Sequence, residues 1–448
     1  MSVLEPLGTM PNTDYLRMTN LSPFPTARVA SIGSGRRQYS QTQSPDPHRL
    51  FLACQFFANC KNGQKREMPT PINAPVNGFP VSDLFEIRET ISAGRGVIAL
   101  KDIPKGTRLL ETSTLAAWVI YDEYVKEVCA QCFAYDRGKV WKVRDSAKGI
   151  VFCSEKCKTQ WQHKIPEDQS IARDEIQKLL RKKRKTRDPA NEIDRHQPSH
   201  EEVDRHWDET ERMAEEIRAY RTTSEPTKKQ RRTLQAVQDK FKEFQDPYLM
   251  WYMLEGLVNP ISNPVNWTCL EQLIADASTY KEVGNMMRNT EAYLMLLAVV
   301  PETLLPWITE SAVRSLHAHS SHNVFGLRAL DEGGEEGDSG SECFGYGLWP
   351  HASYWNHSCA PNVQKQRSGR TWKFWANRDI LKDEELCISY LGGDERSLDD
   401  IERRAQLKET WGFECGCSKC IEVDLDIVSE KLESILDLLG ETVLLPGV

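Results

Sequence analysis

The 448-residue chain has no run of 18 apolar residues, so no segment reads as a membrane-spanning helix; Tyr293 to Val300 is far too short. It also lacks an excess of positive charge. Against 57 Lys and Arg stand 65 Asp and Glu, a formal net charge of −8, which argues against coating of nucleic acid by bulk charge. No hydrophobic signal segment precedes the body, and no internal repeat is present. Glycine is missing altogether between residues 166 and 245.

Cysteine is not scarce. An odd count of 13 in a large chain without a signal segment argues against a secreted disulfide scaffold, and the tight pairing of most of them suits zinc. A reducing, intracellular compartment follows: nucleus, cytoplasm or both. Residues 1–45 give an alternative address. They are rich in Ser, Thr, Pro and Arg, hold only Glu5 and Asp14 as acids, and contain Arg36-Arg37-Gln38-Tyr39-Ser40, similar to a mitochondrial transit segment. The plainer reading of this region is a disordered leader.

Residues 1–80 show little periodicity and are heavy in Pro, Asn and Ser. From Phe85 onward FEIRET, GRGVIALKDI and RLLETSTLAAWVI alternate β-branched and polar residues, with turns at Ala93-Gly94 and Pro104-Lys105-Gly106. The glycine-free stretch contains good helix formers, EIQKLLRKKRK and ETERMAEEIRAY, and reads as a charged helical insertion broken near Pro189, Pro198 and Pro226. Tyr248 to His322 continues as amphipathic helix. Asp331–Glu342, with six acids and four glycines, is an acidic loop. Strand patterns return in FGYGLW, TWKFWANRDI and ELCISYL, where Cys387 reads as strand core. Glu422 to Leu439 reads as a terminal helix. The basic run Arg181–Lys185 is either an import or phosphate-contacting patch or simply a solvated helix face; it has no interleaved aromatics for base stacking.

Cys129-x2-Cys132 and Cys153-x3-Cys157 lie about twenty residues apart, as in a tetrahedral zinc site where each short pair supplies one edge. Unpaired structural cysteines or two disulfides are the alternatives. The phrase VFCSEKCKTQWQHK resembles the MYND zinc finger, but no cysteine lies between Cys132 and Cys153, and Glu167 stands where the last ligand would fall. A reduced finger with one zinc is expected, with His163 packed or on the surface.

The most informative residues are Gly347–Asn362, GLWPHASYWNHSCAPN, followed by Ile388-Ser389-Tyr390 and then Cys415-Gly416-Cys417-Ser418-Lys419-Cys420. This order resembles the SET-domain lysine methyltransferases of the SET-and-MYND type, in a fungal-like branch. The resemblance implies an α+β fold: small β-sheets around a knot-like core, split by a zinc finger and long helical insertions, with a post-SET zinc segment. The corresponding division is a leader (1–80), an N-terminal SET part (81–125), a partial finger (126–165), an insertion (166–322), a C-terminal SET part (323–400), a post-SET segment (401–421) and a C-terminal helix (422–448).

It also implies roles. S-adenosyl-L-methionine would be held by the turn Gly94-Arg95-Gly96, by Asn323, Asn356 and His357, by Tyr390 and by Phe413 stacked on adenine. Tyr390 would be the catalytic phenol, sharing the lysine channel with Trp411. Three cysteines within six residues cannot close a tetrahedron, so Cys415, Cys417 and Cys420 need a fourth ligand. In the family it is the NHSC cysteine, here Cys359. About two zincs per chain are expected. Methyl transfer to an amine needs a neutral nucleophile, in-line approach and a dry channel, and no covalent enzyme intermediate. The expected partner is a protein with an exposed lysine, such as a histone tail, without direct nucleic-acid readout. A non-catalytic zinc-containing SET scaffold for protein–protein contacts in transcription is the rival reading.

Overall fold

The computed structural model describes residues 78–422 except 91–92, 137, 182–195, 241–243, 245, 277–279, 330–341, 393–394 and 396, and also residue 431. Most of the expected leader, the basic run beyond Arg181, the acidic loop up to Ser341 and, Lys431 apart, the tail beyond Glu422 therefore lie outside the described residues.

The alternating segments form three small antiparallel sheets. β1 (Phe85–Glu89) pairs with β2 (Arg95–Ala99), Ile87 opposite Val97, and β11 (Glu385–Leu386) adds to the free edge of β2. In the second sheet β10 (Thr371–Ala376) lies between β3 (Arg108–Thr112) and β9 (Val363–Ser368). In the third, β8 (Cys343–Leu348) lies between β4 (Ala117–Ile120) and β7 (Val324–Arg328). Each sheet joins strands from both halves of the chain, so the helical insertion is looped out of a continuous architecture.

Alternation sets which side is buried. Along β10, Trp372, Phe374 and Ala376 point into the core while Thr371, Lys373 and Trp375 are half exposed. β11 is shorter than the expected strand ELCISYL because Asn362 intercepts it: the Cys387 N–H donates to Asn362 Oδ1 at 2.8 Å instead of extending the ladder. Cys387 is accordingly half buried just beyond the strand rather than in its core.

A hairpin of β5 (Val143–Asp145) and β6 (Ile150–Phe152) and helix α1 (Glu155–Lys164) carry Cys153 and Cys157, while Cys129 and Cys132 come from the turn before the hairpin. Ser154 caps α1, accepting from the Cys157 N–H at 3.2 Å, which places Cys157 in the first turn facing Cys153. Arg370, at the tip of the β9–β10 hairpin, ties this finger to the sheets. Its guanidinium stacks between Trp118 and Phe133, 4.6 and 4.8 Å from their ring centres, and donates to the carbonyls of Ala130 and Gln131.

The insertion is helical as its composition predicts: α2 (Glu167–Arg181), α3 (His200–Thr222), α4 (Lys228–Lys240), α5 (Pro247–Ser262), α6 (Pro264–Glu271), α7 (Val283–Val299) and α8 (Glu310–Ser320). A capping box of Ser199 and Glu202 starts α3. The apolar helices α5 and α7 are mostly buried, and α5 packs directly on β4. Arg221 donates to the carbonyls of Leu297 and Val300, satisfying the C-terminal end of α7. Among the described residues no helix is long and apolar enough to cross a membrane.

Candidate active site and metal centres

The turn before β2 is built by Thr90, whose backbone N–H and side-chain hydroxyl both donate to the Gly94 carbonyl, at 2.6 and 2.7 Å. Gly94 has φ +67°, in the left-handed region where glycine carries no penalty. Gly96 is needed for a different reason: a Cβ there would lie 2.6 Å from Glu385 Oε1 and 2.7 Å from Asn356 Nδ2. The Arg95 side chain is seated over the rings of Phe79 and Tyr354, 5.8 and 5.6 Å from their centres.

Asn356 and His357 run beside the segment ending in Tyr390. The Ile388 N–H donates to the Asn356 carbonyl and the Ser358 N–H to the Ile388 carbonyl, each at 2.9 Å, as a short parallel bridge. Both side chains bond inward. Asn356 Nδ2 donates to Glu385 Oε1 at 2.8 Å and to the Arg95 carbonyl at 3.2 Å, joining the glycine turn to the Asn-His pair. His357 Nδ1 accepts from the Tyr390 N–H at 3.0 Å, which leaves Nε2 to carry the proton, 3.3 Å from Cys359 Sγ. Burial lowers the His357 pKa to about 4, so the ring is neutral around pH 7.

Helix α9 (Asp400–Trp411) brings in the remaining residues. Asp399 caps its start, and Gly412 ends it in the left-handed conformation, φ +76°, so that the chain reverses. The reversal sets Trp411 and Phe413 on either side of the turn, both against Tyr390, with ring centres 5.5 and 6.2 Å away. Phe413 also lies 6.1 Å from His357, and His357 5.4 Å from Tyr390. The Tyr390 hydroxyl donates to the Trp355 carbonyl at 3.0 Å, and burial holds the phenol above its usual pKa of about 10.

Asn323, Ser353, Trp355, Tyr390 and Trp411 line a cavity of about 60 Å³. Gly94, Arg95, Gly96, Asn356, His357 and Phe413 do not line it. Tyr390 belongs to both groups. Asn323 thus sits on the cavity side, with its Nδ2 donating to the carbonyls of Ile274 and His319. Trp355 Nε1, Trp372 Nε1 and His322 Nδ1 are buried without a hydrogen-bond partner, and all three residues line this cavity. Buried polar atoms without partners are uncommon, and here three of them gather on residues of one cavity wall.

The cysteines gather into two groups, Cys129, Cys132, Cys153 and Cys157, and Cys359, Cys415, Cys417 and Cys420, each with its sulfurs within 4.8 Å of one another. Zn–S bonds of about 2.3 Å in a tetrahedron give an S–S edge of roughly 3.8 Å, against about 2.05 Å in a disulfide. In the first group Cys132–Cys153, Cys153–Cys157 and Cys132–Cys157 are 3.7, 3.5 and 3.8 Å apart. In the second, Cys359 is 3.7 Å from Cys415 and 3.6 Å from Cys420. Both groups fit a four-thiolate zinc site. The second packs with Leu391 and Leu407 as a small cluster that also takes in Tyr390, Trp411 and Phe413.

A SET-domain family model matches residues 94–391, from the glycine turn to the residue after Tyr390. The chain belongs to the SET-domain family. A "potential protein lysine methyltransferase SET6" of Saccharomyces cerevisiae is 28% identical over 76% of this chain and 95% of its own length. Other relatives match locally. A SET and MYND domain-containing protein of Dictyostelium discoideum is 38% identical over 21% of this chain and 22% of its own. The human "histone-lysine N-methyltransferase SMYD3" is 42% identical over 18% of each.

Several residues that position this SET-domain site were not singled out from sequence. Glu385 and Thr90 brace the glycine turn, the Trp355 carbonyl receives the phenol, and Arg403 Nε lies 3.1 Å from Cys359 Sγ while its other end pairs with Asp400. None carries a spacing signal; each acts through a partner at least 29 positions away, or, for Thr90, through a turn whose shape only the fold shows. Gly96→Ala is a direct test of the packing. Its Cβ would force Asn356 and Glu385 apart, so a loss of about 1–3 kcal/mol in stability is expected, read as a fall in Tm with the wild type in parallel. An unchanged Tm would show that the junction is loose.

Proposed function

We propose that this chain transfers the methyl group of S-adenosylmethionine to the ε-amine of lysine in protein substrates. The observation that carries the reading is the placement of the Tyr390 phenol, packed by His357, Trp411 and Phe413 and at the same time forming part of the cavity wall. When bound, the donor supplies an electrophilic sulfonium methyl group. The residues of the chain do the rest. Gly94, Gly96 and the Asn356–His357 backbone form a close-fitting junction beside Phe413. The Trp355 carbonyl and Tyr390 hydroxyl, 3.0 Å apart, present oxygen atoms that orient an incoming amine. Aromatic walls keep water out, which favours the neutral form of the amine.

At finer detail we assign the first cysteine group to a reduced, single-zinc MYND-type finger and the second to a post-SET zinc, about two zincs per chain. A fungal-like branch is supported by the near full-length match to the yeast relative. Histone tails are the substrate class the reading favours, and with them the nucleus or cytoplasm as the working compartment. The test is incubation of the purified chain with radiolabelled S-adenosylmethionine and core histones or total cell protein. Label on lysine supports the reading; absence of both transfer and donor binding would leave a non-catalytic scaffold.

The pH dependence has a definite sign. Tyr390 is pushed above its ordinary pKa by burial, so it stays protonated as pH rises, while more of the lysine becomes neutral. The rate should climb from pH 7 with no falling limb from the phenol up to about pH 10. A decline beginning near pH 8 in a protein that is still folded would contradict this assignment.

A further inference from the structure

We propose that Glu385 is a positioning residue for the methyl donor: its carboxylate fixes the Asn356 amide so that Oδ1 is turned to receive the donor's ammonium group. The inference rests on the methyl-transfer reading above.

Glu385 opens β11, opposite Ile98 of β2. Asn356 Nδ2 donates to Glu385 Oε1 at 2.8 Å and to the Arg95 carbonyl at 3.2 Å. An ionised carboxylate and a backbone carbonyl can only accept hydrogen bonds, so the amide must face them with its NH2 end. The fit leaves no slack. A Cβ at Gly96 would lie 2.6 Å from Glu385 Oε1 and 2.7 Å from Asn356 Nδ2, so both side chains are held against the glycine turn.

The consequence lies at the other end of the amide. Asn356 Oδ1 accepts from no described residue, and it is not a sealed-off buried atom. An amide whose NH2 end sits on a carboxylate is polarised, which leaves more negative charge on its oxygen. Such an oxygen suits a cationic N–H over a neutral one. S-adenosylmethionine carries an ammonium group at its amino-acid end, whereas the adenine amine is neutral. Glu385 need not touch the donor at all; it acts through Asn356.

The experiment compares wild type with Glu385→Gln and Glu385→Ala at about pH 8.5, far above the carboxylate range. The glutamine keeps the size but can offer the amide either a donor or an acceptor, so the orientation is no longer enforced. The alanine removes the partner. Calorimetry follows two ligands. S-adenosylhomocysteine has the ammonium group; 5′-methylthioadenosine has the same adenosine and thioether without the amino-acid end.

Both variants should bind S-adenosylhomocysteine about tenfold more weakly, the scale of one hydrogen bond to a charged group. Methylthioadenosine should stay within about twofold of wild type, because it never reaches Oδ1. The donor KM should rise about tenfold, with kcat at saturating donor within about threefold. In an Asn356→Ala background the same Glu385 substitutions should add less than about twofold, since the route to the donor is gone. Two variants guard against one that fails to fold, and each is checked by its melting curve. Equal weakening of both ligands would mean that Glu385 serves packing or the adenine end, and unchanged S-adenosylhomocysteine binding would deny it any part. Either result overturns the inference while wild-type transfer keeps the methyl-transfer reading intact. No transfer by the wild type, to histones or to total cell protein, would remove that reading and this inference with it.

Discussion

Replacing Tyr390 by phenylalanine is expected to slow methyl transfer by about 10²–10³-fold, the usual loss for one preorganised polar group at a reacting centre. The change removes a single oxygen. The ring remains packed against Trp411 and Phe413, so the cavity keeps its shape and donor affinity should stay within a few-fold of wild type. The Trp355 carbonyl loses its partner, at a cost of about 1–3 kcal/mol. That cost shows as a modest drop in Tm and does not explain a thousandfold loss of rate. Single-turnover transfer measured beside calorimetric donor binding separates the two effects. A variant with more than a tenth of wild-type rate would mean that the phenol is not at the reacting centre.

The second large effect is expected from Cys417→Ser. The zinc content should fall from about two to about one per chain, and methyl transfer by more than about 100-fold, since a structural zinc site supplies the folding energy of its segment. The physical reason is the small size of what the sulfurs hold together. Leu391, Leu407, Cys415 and Cys420 are its buried members, with Cys359, Tyr390, Trp411 and Phe413 packed around them. Without metal so few apolar contacts do not fix the segment, and both rings leave Tyr390 together. The main core, far larger and touching this cluster through Tyr390, should still melt cooperatively. Full activity in a variant that retains only one zinc would disprove the coupling of this metal to the active site.

How much of this was legible beforehand depended on the range of the signal. The pairs Cys129/Cys132 and Cys153/Cys157 announce themselves because two ligands on one tight turn must be close in sequence, and the structure brings all four sulfurs together. Strands such as FEIRET and TWKFWA were readable from alternation, since one face is buried. ELCISYL was read too long, because the side chain that ends β11 belongs to Asn362, on another segment. Asn323 lines a cavity together with Tyr390, a meeting of two residues 67 positions apart that no spacing encodes.

The sequence by itself determined the chemical inventory: two sets of thiolates, a glycine turn, an Asn-His pair, a tyrosine after a strand and an aromatic pair before the last cysteines. It also set the secondary structure, because alternation, helix propensity and capping act over a few residues. Only the tertiary structure decided which groups meet. Asn356 joins Arg95 and Glu385, His357 receives the Tyr390 N–H, and Cys359 joins sulfurs more than fifty residues away. Such meetings depend on how three sheets, each drawn from both halves of the chain, pack around one core, and that is a property of the whole fold.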